Sequence, residues 1–308
     1  MVRIPACHAG GRGFESRPDR KAIKKPIHES ESVFFYIFQA MKKTLSLAIT
    51  ALTLSACNTI GSKTIWADEF DYSGRPDTEK WHHQIVPPEN GGWYNNELQH
   101  YIDDEKTTYV SDGTLKIIAR KENYTVNGST KEYTSARLNS KFDFKYGRID
   151  VRAKLPQTAG TWPAIWTLGS NVNETGNFFG DSKGNAGWPM CGEIDIMEQN
   201  GWNKNNLIGH LHWGDTTTKE YNHEGATKEI PNSYDDFHLY SLIWSPEEIT
   251  LLFDNEVFYT APNDEAKPYD NPHYLLLNIA VGGTLGGAVP ENFEPAIMEV
   301  DYVRISKL

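Results

Sequence analysis

Alternating hydrophobic and polar positions dominate the chain after residue 65. In residues 135–155, Leu138, Phe142 and Phe144 alternate with polar side chains, and the alternation continues beyond Gly147. A period of two over this length predicts strands with one buried face. Similar runs occupy residues 114–120, 237–244, 248–259, 273–281 and 297–306, with a hairpin turn at 254–256. The low-complexity segment 170–187 predicts a surface loop. Because no stretch has the period of a long amphipathic helix, the sequence predicts an all-β fold, a two-sheet antiparallel β-sandwich or jelly roll.

The first 64 residues follow a different pattern. Residues 1–40 have no sustained period, and we interpret them as spurious upstream translation or a disordered tail. Residues 41–56 combine two lysines with an apolar run too short to span a bilayer, which predicts a signal peptide. The letters LSAC that end this run resemble a bacterial lipoprotein box, in which Cys57 is lipidated; the alternative is an ordinary signal peptide. Residues 57–64 would then be a short tether on an envelope protein, expected at the outer membrane.

The charge of the chain limits its partners. All 308 residues together carry −11, and the part after residue 56 carries −16, because the segment before it holds nine basic and four acidic residues. Nucleic-acid binding requires a basic surface, so the composition argues against such a partner and favours a neutral substrate. We expect a monomer that touches a membrane only through a lipid anchor.

The acidic segment 192–200, GEIDIMEQN, is the main candidate for chemistry. In a strand, Glu193 and Asp195 project from one face, whereas strict alternation would place Glu198 on the other. A β-bulge near Ile196 would return Glu198 to the face of the other two acids. Crowded carboxylates push their pKa values apart, and a pair about 5–5.5 Å apart suits a retaining glycosidase. The alternative is an exposed acidic strand with solvated carboxylates.

Tryptophans precede this acidic segment closely. Trp162 and Trp166 lie in TWPAIWTLG, and Trp188 lies in GWPMCGE. Exposed aromatic rings stack on sugar faces, so their position beside paired acids favours a carbohydrate cleft, although each ring could instead pack in the core.

Together these motifs resemble family 16 of the glycoside hydrolases, in the laminarinase group of endo-β-1,3-glucanases. The resemblance extends over about residues 65–307 in the segments WADEF (66–70), NNELQHY (95–101), RLNSKFDFKYGRIDVRAKLP (137–156), WPAIWTLG (162–169), GEIDIME (192–198), LHWG (211–214), DFHLYSLIWSPEEI (236–249), LLLNIAVGG (275–283) and VDYVRI (300–305). It implies a catalytic domain over 65–308 with a concanavalin-A-like jelly roll and an open substrate cleft. It also implies retaining endo-hydrolysis of β-1,3-glucan by double displacement, without a catalytic cofactor.

The resemblance assigns roles to individual residues. Glu193 would be the nucleophile, Asp195 its electrostatic helper and Glu198 the acid/base. The positions matching the sugar subsites are Asn96, Arg137, Trp162, Trp166, Trp188 and His212.

The resemblance also implies one structural calcium ion on the convex side. Its ligands would be the backbone oxygens of Glu69 and Gly113 and a carboxylate oxygen of Asp301, and oxygen ligands suit this hard cation. Asp301 could instead be an ordinary polar strand residue. His210 and His212 share a strand face, but no third His or Cys ligand is evident for a catalytic zinc, and His212 could also be a hydrogen-bonded core histidine.

Two other functions remain open on the sequence alone. The first is a glycosidase of the same fold that acts on mixed-linkage glucan or on an agarose-type galactan. The second is a non-catalytic glucan-binding protein, which the presence of both Glu193 and Glu198 disfavours. Since fold does not determine substrate, the choice of β-1,3-glucan rests on analogy.

Overall fold

The computed structural model describes residues 63–88, 91–231 and 233–308. The predictions for residues 1–40 and 41–56, for Cys57 and for nearly all of the tether lie outside these residues.

The described residues are almost entirely strands and turns. The strands are β1 (Thr64–Asp68), β2 (Trp81–His83), β3 (Gln99–Tyr101), β4 (Thr108–Ser111), β5 (Thr114–Val126), β6 (Ser129–Ser135), β7 (Arg137–Phe144), β8 (Gly147–Lys154), β9 (Thr161–Gly169), β10 (Glu193–Gln199), β11 (Asn206–Gly214), β12 (Tyr221–Glu229), β13 (His238–Trp244), β14 (Glu248–Phe253), β15 (Glu256–Pro262), β16 (His273–Val281) and β17 (Ala296–Ser306). The helical pieces are a 3-10 turn (Tyr94–Asn96) and two single-turn helices, α1 (Gly180–Lys183) and α2 (Gly283–Gly286). Within the described ranges, no helix has the length and apolarity of a membrane span.

Two sheets form the described part of the chain. One has the order β15-β14-β13-β8-β17-β5-β6-β3, with β1 and β4 joined to β17 and β5, and the other has the order β12-β11-β10-β9-β16-β7-β2. Neighbouring strands pair antiparallel except β3 and β6, which pair parallel. Side chains between the sheets, among them Leu115, Ile149, Ile194, Leu277 and Val303, are completely buried. The predicted two-sheet antiparallel sandwich is therefore confirmed.

Local patterns predicted several of these elements correctly. The alternation over 135–155 becomes β7 and β8, and in β8 Ile149, Val151 and Ala153 are buried while the residues between them are half-buried. The predicted hairpin joins β14 to β15 through Asp254 and Asn255, both with positive φ (50° and 66°), as a two-residue type I′ turn requires.

Two regions are more buried than the sequence suggested. The polar face of β7 is not exposed, because Arg137 and Asn139 are 4% and 0% exposed. The segment 170–187, predicted as a surface loop, buries Val172 and Phe179 against the side of the seven-stranded sheet that faces away from the main core. These contacts join the loop to Tyr274 on β16, so it forms one wall of a cavity above this sheet.

Candidate active site

A β-bulge in β10 places the three acids on one face. Asp195 lies opposite Trp166 on β9, and Met197 lies opposite the next residue, Ile165, so Ile196 is the extra residue. The pairing with β11 shifts at the same place. Ile196 and Met197 are both fully buried in the core. The predicted bulge is therefore confirmed, and Glu193, Asp195 and Glu198 line a cavity of about 450 Å³.

Two tryptophans donate hydrogen bonds to Glu193 and Glu198. The Trp188 indole N–H donates to Glu193 Oε2 at 3.0 Å, and the Trp162 indole N–H donates to Glu198 Oε1 at 2.7 Å. Trp162 projects into the cavity from β9, whereas Trp188 lies in the turn before β10 and is 51% exposed. Each of the two glutamates thus has its own indole donor.

Asp195 occupies the middle position and has a different environment. It is 1% exposed, and its Oδ2 atom receives no hydrogen bond from the described residues. His212 Nε2 lies 3.3 Å from this oxygen, which is within ion-pairing distance but outside hydrogen-bond geometry. The other ring nitrogen of His212 is 2.7 Å from the hydroxyl of Tyr221. His212, predicted to line a sugar subsite, is not among the cavity-lining residues; it lies on β11, where it pairs with Glu193 of β10.

Burial raises the pKa of all three carboxyl groups. The charge of Asp195 raises the pKa of Glu193 further, and the charge of Glu198 does the same to Asp195. The indole hydrogen bonds lower the pKa values of Glu193 and Glu198, because a donor stabilises the charged form. The three carboxyls therefore resist simultaneous ionisation. One protonated acid beside one carboxylate is the pairing that acid/base chemistry needs.

The cavity lining also contains the predicted Arg137 and Trp166. Arg137 Nη2 donates to Glu174 Oε2 at 2.7 Å, and its guanidinium lies 5.1 Å from the centre of the Trp166 ring. Among the described residues that line the cavity, Arg137 is the only basic one, and Glu174 neutralises it. Asn96 is exposed and is not in the lining, although its neighbours Asn95 and Glu97 are.

Several residues of the cavity were not identified from the sequence. The residues of this group with side-chain hydrogen bonds in the site are Glu97, Tyr101, Glu174 and Asn278. Three of them stand in the segments NNELQHY and LLLNIAVGG, which carried the family resemblance. Nothing local marked them as partners, because Tyr101 and Asn278 are 177 positions apart.

One side-chain group in the described residues could hold a metal ion. Donor atoms of Glu193, Asp195 and His212 lie within 4.8 Å of one another, so this group coincides with the acidic cluster. His210, the other histidine of the predicted pair, instead places its Nε2 atom 3.0 Å from Nδ1 of His223.

The predicted calcium ligands lie in the other sheet. Residue 301 lies where β17 changes its partner from β5 to β1, and a bulge interrupts its pairing with β8 there. Glu69 and Gly113 follow β1 and precede β5, so the register places them on either side of this gap. The Asp301 carboxylate accepts a hydrogen bond from Arg152 through Oδ2 at 2.6 Å. Backbone carbonyl and carboxylate oxygens are the donor types that fit a hard cation.

Comparison with known proteins gives a consistent result. The family model "Glycosyl hydrolases family 16" matches residues 95–304. A β-glucanase of Rhodothermus marinus is 39% identical over 297 residues, covering 86% of this chain and 96% of that protein. The crystal structure of a variant of LamA from Zobellia galactanivorans, in complex with laminaritriose and laminaritetraose, is 58% identical with a TM-score of 0.79; the match covers 80% of this chain and 99% of that one. The laminarinase from Rhodothermus marinus has a TM-score of 0.68 at 38% identity, with 80% and 97% coverage. The match to the family model and the identity to these relatives show that this chain belongs to glycosyl hydrolase family 16.

Proposed function

We propose that the protein is an endo-acting, retaining glycoside hydrolase that cleaves β-1,3-glucan such as laminarin. The observation that carries this proposal is the pair Glu193 and Glu198 on one face of β10, each bound by a tryptophan N–H, with Asp195 between them. A non-catalytic glucan-binding protein would not require such a pair.

In the first step, a carboxylate oxygen of Glu193 attacks the anomeric carbon of the bound sugar. Glu198 is protonated and gives its proton to the departing glycosidic oxygen, so the bond to the leaving chain breaks as the bond to Glu193 forms. Burial raises the pKa of both glutamates and an indole N–H lowers it in both, so the assignment of acid and nucleophile follows the family resemblance.

In the second step, Glu198 acts as a base. It takes a proton from a water molecule, which attacks the anomeric carbon and releases Glu193 as a carboxylate. Two inversions give overall retention of the β-configuration. Asp195 is buried between the two glutamates, and its charge helps Glu198 to hold the proton until the first step is complete.

Two observations support a neutral glucan as the substrate. Relatives of this chain include a β-glucanase and a LamA variant in complex with laminaritriose and laminaritetraose. Within the described part of the chain, Arg137 is the only basic residue that lines the cavity, and it is paired with Glu174, so none of these lining residues offers a free cation to a sulfated polymer. Mixed-linkage glucan and agarose-type galactan remain the alternatives.

Product profiles of the purified protein on laminarin, lichenan, agarose and carrageenan test the substrate. We expect laminarin oligosaccharides whose new ends appear first as the β-anomer in proton NMR. Initial α-anomers would exclude retention. Glu193→Ser should lose several orders of magnitude in turnover, whereas Glu198→Ala should be partly rescued by azide on a substrate with an activated leaving group. Full activity of Glu193→Ser would refute the site.

The location and the calcium ion belong to the same proposal. The LSAC segment supports lipidation at Cys57 and anchoring at the outer membrane. We expect the anchored protein to be a monomer.

The gap beside Asp301 supports a structural calcium ion held by the Glu69 and Gly113 carbonyls, with the carboxylate binding through the oxygen that Arg152 leaves free. Such an ion would stabilise the fold and take no part in the reaction.

A further inference from the structure

A chain of hydrogen bonds connects Trp166 to Glu97 in the cavity. The Trp166 indole N–H donates to Asn278 Oδ1 at 2.7 Å, Asn278 Nδ2 donates to the Tyr101 hydroxyl at 3.0 Å, and this hydroxyl donates to Glu97 Oε2 at 3.1 Å. Gln99 Nε2 donates to the same oxygen at 2.6 Å. Tyr101 and Gln99 are at most 2% exposed and Asn278 is 6% exposed, so water does not replace these bonds easily.

The donor and the acceptor of every hydrogen bond in this series are determined by the groups at its two ends. An indole N–H can only donate, so Asn278 must use its oxygen for Trp166 and its NH₂ group for Tyr101. The single hydroxyl proton of Tyr101 must then go to Glu97. At the other end, the backbone N–H of Val281 donates to Gln99 Oε1, which leaves the Gln99 NH₂ group for Glu97. Both donors converge on Oε2 of Glu97, which must therefore be an acceptor.

The carboxyl group of Glu97 has a raised pKa. Burial raises the pKa of Glu97 to about 7, although the hydrogen bonds from Gln99 and Tyr101 and the charges of Arg137 and Lys131 act in the opposite direction. Arg137 forms its ion pair with Glu174, and Lys131 Nζ donates to the backbone oxygen of Glu97 at 2.9 Å, so neither forms an ion pair with the Glu97 carboxylate.

The charge of Glu97 also acts on the proposed acid. Burial raises the pKa of Glu198, and the charge of Glu97, which lines the same cavity, acts in the same direction. The Trp162 hydrogen bond and the charge of His212 act in the opposite direction. The charges of Asp195 and Glu193, on the same strand, also interact with Glu198.

We propose that Glu97 is a positioning residue of this active site, which orients Trp166 through Tyr101 and Asn278 and whose charge helps to keep Glu198 protonated. The inference rests on the proposed role of Glu198 as general acid. It adds a fourth carboxyl group to the three of β10 and assigns it an indirect role. Glu97 acts through Trp166 and Glu198 and not on the sugar bond itself.

Glu97→Gln separates the charge from the hydrogen bonds. Because both donors use one oxygen, the amide oxygen of glutamine can take the place of Oε2 and keep Tyr101 and Gln99 satisfied. We expect a folded, active enzyme in which the basic limb of kcat/KM moves to lower pH by about half a unit to one unit, less than a carboxylate in direct contact would cause. The exposed Glu294→Gln is the matched control and should leave the limb in place.

Tyr101→Phe tests the hydrogen bonds that lead to Trp166. It removes the link between Asn278 and Glu97 but keeps the carboxyl group. We expect KM for laminarin oligosaccharides to rise about five-fold, corresponding to one lost hydrogen bond. Trp166 should show altered indole fluorescence. Loss of the Tyr101 hydrogen bond also raises the pKa of Glu97, so the basic limb should move to lower pH by less than in Glu97→Gln. A KM equal to that of the wild type, with unchanged fluorescence, would refute the positioning of Trp166.

A titration without substrate separates this inference from the proposed function. In protein labelled with ¹³C at glutamate carboxyls, the Glu198 resonance is the one that Glu198→Ala removes. Its midpoint should fall in Glu97→Gln and stay constant in Glu294→Gln. An unchanged midpoint refutes the electrostatic role, whether or not laminarin is hydrolysed. A shifted midpoint in an enzyme that does not cleave laminarin supports the inference and refutes only the substrate.

Discussion

The hydrogen bond between Trp162 and Glu198 offers a direct test of the acid. The indole N–H is 2.7 Å from Glu198 Oε1 and stabilises the charged carboxylate. Trp162→Phe keeps an aromatic ring in the cavity and removes this donor. The pKa of Glu198 should therefore rise, and a general acid with a higher pKa stays protonated to higher pH. We expect the basic limb of kcat/KM to move upward.

The structure sets the size of this shift. A hydrogen bond to a charged group contributes about 1.5–3 kcal/mol, and one pKa unit corresponds to about 1.4 kcal/mol. Complete loss of the bond would thus raise the pKa by about one to two units. Glu198 is 9% exposed and lines the cavity, so water can replace part of the lost bond. A shift of about one unit is the expected result.

A second variant should move the other limb of the pH profile and serves as the control. Trp188→Phe removes the N–H that donates to Glu193 Oε2, so the pKa of Glu193 should rise. A nucleophile must be ionised, and the acid limb should move upward instead of the basic one. The shift should be smaller because Trp188 is 51% exposed and water reaches this carboxylate more easily.

The assay is the pH dependence of kcat/KM on a soluble laminarin oligosaccharide, for the wild type and both variants. If Trp162→Phe moved the acid limb and Trp188→Phe the basic limb, the roles of Glu193 and Glu198 would be reversed. If neither limb moved, the indole hydrogen bonds would not influence the pKa values of Glu193 and Glu198.

Three further predictions concern the anchor, the ion and stability. Cys57→Ala should leave the membrane fraction with its activity intact, and continued membrane association would contradict lipidation at this residue. A chelator should lower the melting temperature of the wild type, by an amount that corresponds to about 2.7 kcal/mol when calcium is at a hundred times its dissociation constant, and should have no effect on Asp301→Ala. A chelator-insensitive wild type would count against the ion. Because Glu97 binds its proton more tightly in the folded state, with a pKa of about 7 against 4.5, the wild type should lose at most about 3 kcal/mol of stability as the pH rises through this window. Denaturant titrations at pH 5 and pH 8 should show a smaller loss for Glu97→Gln, and equal losses would contradict the buried carboxyl.

Much of the fold could be predicted from local sequence. Strand periodicity depends on residues two positions apart, so the alternation in β8 and the turn at Asp254 and Asn255 were visible without knowledge of any partner strand. The bulge at Ile196 was also predictable, because three acids can share a face of one strand only if an extra residue interrupts the alternation.

The polar residues of the cavity were not predictable in the same way. The polar face of β7 looked exposed, yet Arg137 is buried because Glu174, from the distant loop 170–187, pairs with it and that loop covers the sheet. Loop packing of this kind leaves no periodic trace in the sequence.

The sequence by itself therefore determined the strands, the face that carries the acids and the family. Only the tertiary structure decided which polar groups surround those acids. Glu97 meets Trp166 through Tyr101 and Asn278, which lie on strands β3 and β16 far apart in the chain. Their meeting depends on the register of each strand and on how the chain segments pack above the seven-stranded sheet. Hydrogen bonds need atoms within about 3 Å of one another, and such distances are set by long-range packing that a local pattern does not encode.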